Sequence, residues 1–189
     1  MAGEFVPVIG REVLKPGPAA KVLARFADGS AAVTCNIFGK GKAYVVGFFP
    51  GLEYSAAVRG ERFDMTRDFD AVRRSFVTAP ALEHVRPVVD ASLPTVEGVL
   101  LRNDATGARA VTLMNWAYRI ASLRKRGERI SGVVAIAPAE NVTVRVRGAG
   151  AVRGVRSALR NEPLKFEAAG GMLTIHLPHL DEGDVLLLE

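Results

Sequence analysis

The chain has a single cysteine, Cys35, in 189 residues. That excludes an intramolecular disulfide and a zinc site built from cysteines. No apolar run reaches the ~18–20 residues that span a bilayer, so no membrane partner is expected. Met1-Ala2-Gly3-Glu4-Phe5 shows no basic stretch followed by an apolar run. No signal peptide is read there, and the compartment is left open. The excess of one sign of charge is also small. Lys and Arg number 25 against 20 Asp and Glu, a net charge of +5. Basic residues gather at Arg124-Lys125-Arg126 with Arg129, and again at Arg145, Arg147, Arg153, Arg156 and Arg160. No nucleic-acid recognition motif accompanies them, and solvated strand faces account for them, so no nucleic-acid partner is expected.

Catalytic signatures are missing too. No serine stands in a G-x-S-x-G elbow. Phe38-Gly39-Lys40-Gly41-Lys42 lacks the spacing and the Ser/Thr of a phosphate loop, and a strand pattern follows it, so it reads as a hairpin turn. Cys35 lies mid-strand between Thr34 and Asn36, where burial as a structural thiol is expected. Asp64, Asp68 and Asp70 crowd one short segment, where capping explains them better than a glycosidase acid pair. Three histidines are present. His176 and His179 stand three apart near Asp181, Glu182 and Asp184. Their spacing is not that of a helical zinc motif. The plain alternative is one histidine on a polar strand face and one in the following turn. No catalytic residue, metal or cofactor is assigned.

What remains is strand and turn. Glycine and proline number 19 and 10, which suits many short strands. Segments 22–26, 31–37 and 42–49 read as three strands joined at Asp28-Gly29 and Gly39-Lys40-Gly41, a pair of adjacent antiparallel hairpins. The third strand (KAYVVGFF) is apolar for most of its length and reads as buried on both faces. Segment 64–77 is the best helix: Phe69, Val72 and Phe76 share a face, Asp64 or Thr66 can cap it, and Pro80 closes it. From residue 85 strands recur: 85–90, 96–102, 110–116, 132–136, 142–147, 152–157, 164–167, 172–177 and 184–188. Val142, Val144 and Val146 alternate with Thr143, Arg145 and Arg147, and Leu173, Ile175 and Leu177 with Thr174 and His176. Segment 118–131 is polar, basic and without strand pattern, and reads as a long exposed loop. The fold class is therefore mainly β, α+β overall. A small hairpin-plus-helix region, residues 1–80, precedes an antiparallel β-sandwich, residues 81–189.

Trp116 and Tyr118 end a strand, and Tyr44, Phe48, Phe49 and Tyr54 lie in or after another. Exposed rings stack on sugars, so Trp116 and Tyr118 are a candidate carbohydrate platform. Packing between sheets is the alternative. Phe48, Phe49 and Leu52 are the candidate interface for self-association, because one helix offers little cover for an apolar strand. A monomer that buries this surface internally is the alternative.

The order Asp28-Gly29-Ser30-Ala31-Ala32-Val33, then Gly39-Lys40-Gly41-Lys42-Ala43-Tyr44-Val45-Val46-Gly47-Phe48-Phe49-Pro50-Gly51, resembles a known family. It is similar to the end of the glutamine-amidotransferase-like, or trimerisation, domain of family 42 β-galactosidases and related bacterial proteins. Leu113-Met114-Asn115-Trp116 resembles the "L-x-N-W/Y" strand of the small β-sandwich that follows such domains. Residues 177–188 resemble that sandwich's last strand. The resemblance implies an accessory role with no catalytic residue carried over, since a (β/α)₈ barrel alone needs about 200 residues. It implies as partners a second copy of the chain or the remaining parts of a parent protein. A carbohydrate-binding module and a hydrolase with an unrecognised site are the alternatives.

Overall fold

A computed structural model describes residues 7, 10–56, 62–68, 70–125 and 127–189. In chain order its first strands and helices are β1 (Lys21–Arg25), β2 (Ala31–Phe38), β3 (Gly41–Val46), α1 (Pro50–Ala56), β4 (Arg62–Asp64), α2 (Met65–Asp68) and α3 (Ala71–Leu82). There follow β5 (Val89–Ala91), β6 (Val96–Arg102), β7 (Arg109–Asn115), β8 (Tyr118–Lys125), β9 (Glu128–Ile136) and β10 (Ala139–Arg147). The chain ends with β11 (Val155–Ser157), β12 (Glu162–Pro163), β13 (Lys165–Ala169), β14 (Met172–Leu180) and β15 (Gly183–Leu188). The protein is mainly β and its sheets are antiparallel, as expected. Contacts divide it into two units, Met1–Arg59 with Asp70–Val85, and Gly60–Phe69 with Arg86–Glu189.

The first unit holds the meander β1-β2-β3. Its first turn works as its sequence suggests. Gly29 takes φ +83°, a conformation costly for a side chain, and the Asp28 carboxylate accepts from the Ser30 N–H. Two expectations fail here. β3 is an edge strand with Val45 half exposed, so it is not buried on both faces. Its apolarity reflects β-propensity as much as burial. Cys35 is half-buried rather than enclosed, because β2 is covered only over its first four residues.

The expected helix 64–77 is broken. Asp64 accepts from the N–H of Thr66 at the start of α2, and Asp68 accepts from the N–H of Asp64. Asp70 caps α3 by accepting from the N–H of Arg73 at 2.9 Å. Three aspartates in seven residues thus offer the backbone local partners that compete with a continuous helix. Phe69 lies outside the described residues. Pro80 sits inside α3 instead of closing it, and the helix ends within one turn of it.

The second unit is a sandwich. One sheet runs β12-β11-β15-β7-β6 and the other β13-β14-β10-β5, with a further sheet β4-β8-β9. Strand alternation sets the core. Val142, Val144 and Val146 of β10 and Leu173, Ile175 and Leu177 of β14 point inward, against Val111 and Leu113 of β7 and Leu186 and Leu188 of β15. Each such side chain contributes about 1.5–3 kcal/mol on burial. Segment 118–131 is not a loop. β8 and β9 pair from Tyr118↔Ile136 to Lys125↔Glu128. The turn between them places Gly127 at φ +85°, and Arg126 lies outside the described residues. Backbone pairing through a glycine turn needs no apolar alternation, so the run of arginines concealed the hairpin. The first sandwich strand is shorter and later than the expected 85–90, since only Val89–Ala91 meets β10.

Candidate functional site

The distinctive surface of the second unit is the outer face of the five-stranded sheet. The register sets Glu97 of β6 opposite Met114 of β7, Val99 opposite Thr112, and Leu101 opposite Ala110. On the other side of β7, Val185 of β15 faces Thr112 and Leu187 faces Ala110. Because Val111, Leu113, Leu186 and Leu188 fill the inner face, these alternate residues must point outward. Apart from Glu97 and Thr112 they are nonetheless apolar. Val99 is 50% exposed, Leu101 49%, Met114 49% and Val185 37%. Trp116, two residues beyond Met114, lies 43% exposed, and its indole N–H donates to the Glu97 carboxylate at 2.9 Å. Among the described residues β6 forms the edge of the sheet, so this face borders a strand edge that none of them pairs.

Sequence reasoning found Trp116 and missed Val99, Leu101, Met114 and Val185. The available signal was apolarity at both strand parities, Val96 and Leu100 together with Val99 and Leu101, where a one-faced strand alternates. Trp116 lies just beyond the end of β7 and Tyr118 two residues further on. Ala117 between them is buried, and Tyr118 opens β8 in the third sheet, half-buried.

Phe48, Phe49 and Leu52 separate as well. Phe48 is buried, its ring meeting Phe76 edge-on at 5.5 Å between centroids, so it serves the first unit's interior. Phe49 and Leu52 are exposed.

The histidines do not converge. His176 stands on the outer face of β14, 4.0 Å from Glu167. His179 lies in the same strand rather than in a following turn, because β14 continues past Pro178 to Leu180. Its Nδ1 meets Glu140 at 2.6 Å and its Nε2 meets Asp181 at 2.7 Å. Asp184 turns inward to Ser157, and Glu182 contributes its carbonyl to the N–H of Asn115. Among the described residues no group of three or more His, Cys, Asp or Glu side chains is placed to hold a metal. Asp64 pairs with Arg119, Asp68 with Arg67 and Asp70 with Arg73, which accounts for each of the clustered aspartates.

The bonds to Asp181 and then Glu140 raise the His179 pKa above the ordinary 6.5. A raised folded-state pKa adds stability that is complete below the unfolded value and is lost as pH rises through the folded one. The ring resonances of His179 are therefore expected to titrate above pH 6.5, and Asp181→Asn to bring the midpoint down. A midpoint at or below 6.5 in the parent chain would contradict the geometry.

No helix among the described residues is long and apolar enough to cross a membrane. No family model matches the sequence. No curated protein matches it either. Among solved structures, the alpha-L-fucosidase isoenzyme 2 from Paenibacillus thiaminolyticus has a similar fold. The match has a TM-score of 0.57 and 15% sequence identity, over 97% of this chain and 25% of that one. The chain thus spans about a quarter of the length of that glycoside hydrolase, and what the two share is the fold.

Proposed function

We propose that the chain is a non-catalytic assembly module of a glycoside-hydrolase-like protein, and that it self-associates through the outer face of the five-stranded sheet. The observation that carries this is the apolar face itself, with Val99, Leu101, Met114 and Val185 half exposed beside an edge strand. Contiguous exposed apolar surface marks contact sites, and an unpaired edge favours strand pairing with another chain. Antiparallel pairing of β6 with β6 of a second copy would join two such faces across one two-fold axis. The similarity to a quarter of a fucosidase chain supports an accessory place in a larger carbohydrate-active protein. The motif order from Asp28 to Gly51 supports the narrower reading that the first unit derives from a family 42-type trimerisation domain.

A carbohydrate-binding module is the other reading. It calls for a row of exposed rings on one face, and Trp116 stands among aliphatic residues. Its N–H is also already engaged by Glu97.

Light scattering over a concentration series tests the assembly reading. The parent chain is expected to gain mass with concentration. Leu101→Glu is expected to weaken association by at least about tenfold, while Phe49→Asp leaves it unchanged. A strictly monomeric mass at high concentration removes the proposal. Turnover of aryl glycosides, α-L-fucosides included, is not expected. Turnover that survives repurification and disappears on one Asp or Glu substitution would make the chain an enzyme.

A further inference from the structure

The second unit also has a cleft of about 340 Å³ at one corner of the sandwich. The chain crosses there from β12, in the five-stranded sheet, to β13, in the four-stranded one. The crossover opens the corner and presents four polar side chains, Asn141, Glu162, Lys165 and His176. Lys165 and His176 are direct cross-strand partners. The exposed apolar lining is Pro163 and Pro178, while the core residues Val142 and Leu177, also at the cleft, are each 1% exposed.

Asn141 is the unusual member. Its φ is 53°, in the left-handed region, at the third residue of β10. The pairs Glu140↔His179 and Val142↔Leu177 set it opposite Pro178. Proline has no N–H, so Asn141 receives no ladder hydrogen bond from it. Asn161, which immediately precedes β12, is the other non-glycine residue with positive φ among the described residues. Residues held in this region cost free energy and collect at ligand clamps more than in plain strands.

We propose that this cleft binds one neutral, polyhydroxylated ring, a monosaccharide or the end residue of a saccharide chain. The volume lies in the range of small-molecule sites, ~300–1,000 Å³. Lys165 and Glu162 oppose each other in charge, so the lining favours no net charge on the ligand. The lysine ammonium and the asparagine N–H donate, and the glutamate and the asparagine carbonyl accept, which suits hydroxyl groups that do both. Pro163 and Pro178 offer the apolar surface for the C–H face of a sugar ring. These residues are distinct from the apolar outer face, so sugar binding and self-association can fail separately.

The test is a titration of the isotope-labelled full chain, followed by NMR, with D-glucose, D-galactose and L-fucose. Glycine and inorganic phosphate are the charged controls. One sugar is expected to give saturable shifts at Asn141, Lys165 and His176, with a dissociation constant in the millimolar range. Asn141→Gly accepts the same backbone conformation but removes the amide, and is expected to weaken binding at least about tenfold. Glu162→Gln, at an exposed position, is expected to weaken it in the same sense. Trp116→Ala is expected to leave it unchanged. Unchanged Ile175 methyl resonances certify the fold of each variant. The proposal is overturned by no saturable shift with any sugar at about 100 mM, by saturation of the same resonances with glycine or phosphate, or by shifts that follow Trp116 instead.

Discussion

Asn115→Asp is expected to destabilise the second unit by about 3–5 kcal/mol. Asn115 is 3% exposed at the end of β7. Its Nδ2 donates to the carbonyls of Ala137 and Asp181, each at 2.8 Å, and its Oδ1 accepts from the N–H of Ala117 at 3.0 Å. One amide thus ties the end of β7 to the β9–β10 connection and to the β14–β15 turn. Asparagine is required because the site needs donors and an acceptor on one planar group. Aspartate would put a carboxylate oxygen against two carbonyl oxygens and leave both without a donor. Its pKa would rise, so the folded variant would hold its proton more tightly than the unfolded one. The penalty would then be complete at neutral pH and shrink as pH falls toward the unfolded value near 4. Asn115→Ala, which removes the bonds without adding charge, is expected to cost about 2–4 kcal/mol with no such pH dependence. Urea midpoints at two pH values measure both. A variant that unfolds at the parent midpoint would show the amide to be dispensable.

Asn115 also shows where sequence pattern stops. Leu113-Met114-Asn115-Trp116 stood out as a motif, and in the structure Leu113 is buried and Met114 half exposed. Nothing local says that the asparagine braces two distant turns, since Ala137 and Asp181 are 22 and 66 residues away. The strands β10 and β14 could be read directly, because a period of two is unambiguous when one face is valine and the other arginine. The same logic misjudged β3, because apolar composition reports strand propensity without saying whether another layer covers it. It passed over the face formed by Val99, Leu101 and Met114 for the same reason. The hairpin β8–β9 escaped because its basic run carried no alternation, and α3 started late because Asp70 caps better than a continuous helix packs. The left-handed Asn141 carried only the weak local signal that asparagine tolerates positive φ, and its place opposite Pro178 is set across the ladder. Long-range pairing decides such features, and a pattern confined to neighbours cannot contain it.

Asp184→Ala is expected to cost about 2–4 kcal/mol, with the same loss in the presence of a chelator. From its place beside His179, Asp181 and Glu182 in sequence, Asp184 could have been a metal ligand. The structure gives its carboxylate other work. Oδ2 accepts from the Ser157 hydroxyl at 2.6 Å, and Oδ1 accepts from the N–H groups of Val185 at 2.6 Å and Leu159 at 3.2 Å. Asp184 is 8% exposed and Ser157 fully buried. The Ser157 oxygen in turn accepts from the N–H of Arg160 at 3.0 Å. The pair therefore builds the turn after β11 and delivers Glu162 and Pro163 to β12. Alanine at 184 strands a buried hydroxyl and a backbone N–H, which is where the large penalty arises. Ser157→Ala removes two bonds, leaving an Asp184 oxygen and the Arg160 N–H without this partner, so about 1–3 kcal/mol is expected from it alone. The double variant should fall short of the sum by about 1–2 kcal/mol, the coupling of two groups in one network. A metal-ligand role would give a different pattern: a chelator would lower the parent midpoint and leave Asp184→Ala unmoved. Additive losses for the two single variants would mean that the carboxylate and the hydroxyl act apart, and the turn would then owe its shape to backbone bonds such as that from the N–H of Ala158 to the carbonyl of Val185.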